Sequence, residues 1–84
     1  MTNQTNNGAP SQLILILAGT STQYTEARRR LELSPKETSW LTRPSGLKEL
    51  QRPKVYRFGS WRELAQIEAV ELALTETKAE IVDL

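Results

Sequence analysis

From Leu13 to Ala18 the chain reads Leu-Ile-Leu-Ile-Leu-Ala with no polar interruption, and it then passes straight into Gly19, Thr20, Ser21 and Thr22. Successive side chains of a strand point to opposite faces, so a strand aliphatic at every position needs cover on both. That condition points to a parallel sheet sandwiched between helices. In such sheets ligands settle in the crevice beyond the C-terminal ends of the strands. One segment therefore predicts both a fold class and the place to look for a site, Gly19 to Thr22.

The rest of the chain alternates in the same sense. The first strand is expected over residues 12–19. A helix over 22–31 follows, with Thr20 as cap, Gln23 completing a capping box, and Tyr24, Ala27 and Leu31 on its inner face. Ser34-Pro35-Lys36-Glu37 is a second capping-box pattern that starts a helical turn. The β-forming stretch 38–42 reads as a second strand, closed by Arg43-Pro44. One or two helical turns over 45–50 should then turn Leu47 and Leu50 inward. Residues 54–58 form an amphipathic third strand, more exposed than the first and suited to an edge, and Gly59 ends it. Ser60-Trp61-Arg62-Glu63 is the clearest capping box, and one helix is expected from Trp61 to about Lys78 with Leu64, Ile67, Val70 and Leu74 as its apolar stripe. Residues 81–84 can extend that helix, fray or dock. The expected fold is a small α/β domain over 12–84: a three-stranded parallel sheet in the order 2-1-3, flanked by helices with right-handed crossovers. Residues 1–11 are Asn, Gln, Thr, Ser, Gly and Pro with almost nothing apolar, and read as a disordered tail.

Composition narrows the chemistry. The chain has neither cysteine nor histidine, which removes disulfides, thiolate nucleophiles, Ser-His-Asp catalysis and the common zinc sites. Its longest apolar run is far short of the roughly 20 residues of a membrane span, and no basic segment precedes it as in a secretory signal. A soluble intracellular protein with no membrane association is the expectation. The net charge of +1 hides a division: residues 1–62 carry a net +6 and residues 63–84 a net −5. Two electrostatically different faces should result. A domain this small buries only roughly 60% of its unfolded surface, so a homodimer or a larger partner would add useful burial.

If the strands are parallel, three loops meet at one edge and bring together Gly19, Thr20, Ser21 and Thr22, then Arg43 and Ser45, then Ser60 and Arg62. Helix N-termini and arginines favour an anion, so a phosphate or nucleotide is one candidate ligand. The P-loop lysine and the spaced glycines of a dinucleotide fold are absent, and hydroxyls before helices are also plain caps. Arg28, Arg29 and Arg30 make a basic surface near aromatics, a second route to nucleic acid. Their place late in a helix also suits its dipole. Pro44 and Gly46 argue against a helix-turn-helix over 24–50. The acidic last helix could oppose a basic surface on another protein. No catalytic residue, metal set or cofactor motif emerges.

Three stretches, Leu17-Ala18-Gly19 with Gln23-Tyr24, Trp40-Leu41-Thr42-Arg43-Pro44, and Lys54-Val55-Tyr56-Arg57-Phe58-Gly59-Ser60-Trp61, resemble small uncharacterised α/β proteins of bacteriophage and mobile-element genomes. The resemblance spans most residues from Leu13 to Leu74 and implies a phage-type accessory protein in the host cytoplasm, without assigning any site residue. Together these features predict a non-enzymatic binding module acting on a protein or nucleoprotein, with a phosphate- or nucleic-acid-binding domain as the alternative.

Overall fold

The computed structural model describes residues 13–84; the expected tail 1–11, and Gln12 at the expected start of the first strand, lie outside the described residues. The elements in chain order are β1 (Ile14–Ala18), α1 (Ser21–Arg30), β2 (Thr38–Leu41), a 3-10 turn (Pro44–Leu47), β3 (Lys54–Phe58), a second 3-10 turn (Trp61–Glu63), α2 (Ile67–Glu76) and β4 (Glu80–Asp83). All strand pairs are parallel, in the spatial order β2-β1-β3-β4.

β1 lies inside the sheet and is covered on both faces, as its sequence requires. Leu15 and Leu17 enter one core with Leu41, Leu47, Val55, Trp61, Val70 and Leu74, beneath α2. Ile16 and Ala18 enter a second core with Ala27, packed against Tyr24, Leu31 and Phe58 under α1. The buried aliphatics are what make the sheet favourable, at roughly 25 cal/mol for each Å² of apolar surface removed from water.

Three expectations need correction. The sheet has four strands, not three, because Glu80–Asp83 adds alongside β3. The Glu80 N–H donates to the Pro53 carbonyl and the Leu84 N–H to the Arg57 carbonyl, at 2.8 and 2.9 Å. β3 is consequently an inner strand and not an edge. The last helix is also shorter than its apolar stripe suggests. Ser60 has φ −89° and ψ 39°, outside the extended region of an N-cap, and its side chain makes no cap bond. A single 3-10 turn forms there, the chain extends at Leu64, and α2 begins afresh at Ile67. Leu64 and Ile67 still reach the core, which is why the stripe is continuous although the helix is not. Finally, the helical turn after β2 ends at Leu47, which is buried, whereas Leu50 is 39% exposed. Glu49 takes a positive φ of 67° just before it and redirects the chain.

Both helices end in the same way. After α1 the Leu33 N–H bonds the Arg28 carbonyl and the Glu32 N–H the Arg29 carbonyl; after α2 the Ala79 N–H bonds Leu74 and the Lys78 N–H bonds Thr75. These are Schellman closures, which place one residue in the left-handed region. Here those residues are Glu32 and Lys78, at φ 56° and 57°. Glycine would sit there without the Cβ clash, and removing Glu32 also takes a negative charge from a helix C-terminus. Glu32→Gly should therefore stabilise the domain by about 0.5–1 kcal/mol. Thermal unfolding should show a Tm higher by roughly 4 °C; an unchanged or lower Tm would contradict the assignment.

Candidate functional site at the strand ends

The loops after β1 and β3 do meet, and Gln23 joins them. Thr20 caps α1 as its sequence predicts, its Oγ1 accepting the Gln23 N–H at 3.1 Å. The Gln23 side chain does not return to Thr20. Its Oε1 accepts the Gly19 N–H at 3.0 Å, the Ser60 N–H at 3.0 Å and the Ser60 hydroxyl at 3.2 Å. One amide oxygen thus ties the exit of β1 to the exit of β3. The two glycines make room for it. A Cβ on Gly19 would lie 2.5 Å from the Ser60 carbonyl oxygen and 2.7 Å from its carbon. A Cβ on Gly59, which has φ +66°, would run into the Gln23 side-chain amide.

This geometry changes the chemistry open to the edge. The donors that a phosphate would need at Gly19 and Ser60 are already given to Gln23. Ser21 and Thr22 remain exposed on the first turn of α1. Arg43 is exposed and extended (φ −151°) ahead of Pro44, and Ser45 is exposed in the 3-10 turn that follows. Neither makes a side-chain hydrogen bond among the described residues. Arg62 is exposed, with its guanidinium 4.4 Å from the Trp61 ring centre.

Arg57 approaches the same ring, also at 4.4 Å, and grips Asp83 through two bonds of 2.6 and 2.8 Å. These bonds hold the Asp83 carboxyl below the ordinary aspartate range, with the Arg57 and Arg62 charges adding to the effect, and the same pairing raises Arg57. A carboxylate lowered by folding stabilises the fold above its unfolded pKa, and that contribution is lost as the pH falls through the folded value. Asp83→Asn should thus be less stable than the parent at neutral pH, and the gap should narrow as the pH falls below the ordinary aspartate range. Urea midpoints at neutral and at acid pH measure it; a gap independent of pH would show that the pair contributes nothing electrostatic.

The arginines of α1 are carried on the last turn of that helix. α1 runs back along the sheet for about 15 Å. Arg28 donates to the Leu33 carbonyl at 3.3 Å and lies 5.9 Å from the Tyr24 ring. Arg30 pairs with Glu26 at 3.0 Å and reaches back to Phe58, 5.1 Å from its ring centre. Only Arg29, exposed, has no side-chain bond among the described residues. Of the three, Arg30 alone reaches toward the strand-end edge, where Phe58 closes β3. The aromatics are largely structural. Trp61 is 5% exposed. Trp40, at 36%, stacks on Tyr24 and donates its indole N–H to the Ala18 carbonyl at 2.9 Å. Tyr24 is held in turn by a 2.8 Å hydrogen bond between its hydroxyl and that of Thr38.

Sequence reasoning missed Gln23 as the organiser of the edge; a Gln at the third helical position signals a capping box and nothing more. It also missed Leu72, which is 61% exposed on α2 among the exposed Glu68, Glu71 and Glu76. The helices carry part of the charge division predicted from composition: α1 has three arginines against one glutamate, and α2 has three glutamates and no basic residue, while the other basic residues lie in the strands and loops. They pack on opposite faces of the sheet. Among the described residues no acidic cluster could hold a metal ion, and no helix is long and apolar enough to cross a membrane. Comparison with known proteins finds no matching family, no matching curated protein and no matching solved structure.

Proposed function

We propose that this chain is a non-enzymatic protein-binding module, of the phage-type accessory kind its motifs resemble, and that its partner presents a basic surface to α2. The observation that carries this reading is Leu72, exposed between Glu68 and Glu76 one turn to either side, with Glu71 beside it. An exposed large apolar side chain flanked by carboxylates can supply burial at the centre of an interface and charge at its rim. The charges add steering, since no basic residue of α2 cancels them.

The tagged chain should recover a protein from a lysate of the organism that encodes it, after nuclease treatment, and moderate salt should weaken the capture because rim charges are screened. Recovery that vanishes with nuclease would replace this reading with a nucleic-acid one. A second reading, an anion at the first turn of α1, draws on the exposed Ser21 and Thr22. Inorganic phosphate or nucleotides should then raise the Tm by mass action; millimolar ligand without a shift would dismiss it.

A further inference from the structure

We propose that the outer edge of β3 is a strand-accepting slot read by Lys54 and Arg57, and that segment 80–84 of a second copy of the chain can fill it in place of the chain's own β4. This proposal does not rest on the partner reading of α2.

The slot is defined by what occupies it. Lys54 lies opposite Glu80 and Arg57 opposite Asp83, so two cations three residues apart meet two carboxylates three residues apart. The contacts are 2.9 Å for Lys54–Glu80 and 2.6 Å for Arg57–Asp83. Between them Ile81 and Val82 lie beside Val55 and Tyr56, and Ile81 lines a 310 Å³ groove with Arg57, Glu71, Leu74 and Ala79. Main-chain pairing supplies affinity and the flanking charges supply selection, which is how strand addition works. The occupant selected is an extended segment with an acid, two β-branched apolar residues and a second acid. Residues 80–83 have that pattern, and a second copy offers it again.

β4 is also the strand best able to leave. It has four residues, and all but Val82 are exposed. The carboxylate of each of its ion pairs is the exposed partner, open to competition from solvent and salt. The reversal that folds it back onto the sheet passes through Lys78 in the left-handed region, a conformation costly for a residue with a Cβ. Opening the reversal gives up the two hydrogen bonds that close α2 and releases that strain, while every β3–β4 contact re-forms between copies. Short strained hinges favour such exchange.

Mixing two charge-reversed chains tests this. In Arg57→Asp and in Asp83→Arg alone, the chain's own slot and strand carry like charges. In a mixed, strand-exchanged pair, one slot has the native Arg57–Asp83 contact and the other its mirror. Native mass spectrometry and light scattering should show each variant as mainly monomer and the mixture as a one-to-one dimer. A mixture that stays monomeric at millimolar concentration overturns the proposal. If either variant fails to fold, the hinge decides in the otherwise native chain. Lys78→Val, poorly tolerated in the left-handed region, should dimerise about tenfold more tightly than Lys78→Gly. Equal dimerisation of the two overturns the proposal equally. Both experiments use the purified chain alone, so their failure leaves the α2 reading untouched.

Discussion

Gly19→Ala is expected to cost about 3 kcal/mol of stability, the upper range for forcing an atom into a packed site. The new Cβ would meet the Ser60 hydroxyl and lie 2.5 Å from the Ser60 carbonyl oxygen. The hydroxyl can rotate away, but the carbonyl is main chain and moves only if the β3 exit moves. That exit is fixed on its other side by the buried Trp61. A domain of this length has stability of order 5 kcal/mol, so the loss should shift the urea midpoint by more than half its value. A midpoint within error of the parent would mean that the two strand exits are not held against each other.

Gln23→Leu is the second large effect, expected at about 2–3 kcal/mol. The substitution keeps the volume and removes the acceptor that Gly19 N–H, Ser60 N–H and Ser60 Oγ–H share. Unpaired half-buried donors cost the desolvation that their hydrogen bonds had offset. Gln23→Glu separates this cause from packing. A carboxylate accepts the same donors more strongly and suits the N-terminal turn of a helix, so this variant should match or exceed the parent at pH 7. Its folded pKa should lie below that of a free glutamate. The advantage is then present above pH of about 4.3 and lost as the pH falls through the depressed value. Equal losses in Gln23→Leu and Gln23→Glu at pH 7 would show that shape, and not hydrogen bonding, is what Gln23 supplies.

Both variants act where the sequence was least informative. β1 was legible because a strand aliphatic on both faces needs cover on both, and the parallel β2-β1-β3 order follows from that together with the alternation of strands and helices. Thr20 was legible as a cap because capping is local. The three-way bond to Gln23 depends on Ser60, 37 residues further along the chain, and no local pattern carries such a contact. Ser60 itself has the sequence of a cap and gives its hydroxyl to another segment. β4 escaped because four residues after a helix are too few to show a period, although Ile81-Val82 is a β-branched pair. Leu72 was passed over because it falls outside the apolar stripe of Leu64, Ile67, Val70 and Leu74 by which the helix was read. The charge division was visible, but its meaning required knowing that α1 and α2 cover opposite faces. The run Arg28, Arg29 and Arg30 was visible as a basic surface, but not that Arg28 and Arg30 are engaged within the fold, by the Leu33 carbonyl and by Glu26.

The proposed partner meets the α2 face, and not the strand-end loops, where Gln23 takes the Gly19 and Ser60 donors. Capture from nuclease-treated lysate with three preparations side by side decides it. These are the native chain, a chain with Glu68→Lys, Glu71→Lys and Leu72→Ala, and a chain with Arg43→Ala and Arg62→Ala. All these positions are exposed, so each variant should fold, and circular dichroism checks that it does. The α2 variant should lose the captured protein by tenfold or more, on the order of 1.4 kcal/mol, while the loop variant should retain it. Retention by the α2 variant with loss by the loop variant would contradict the account and return the working surface to the strand ends.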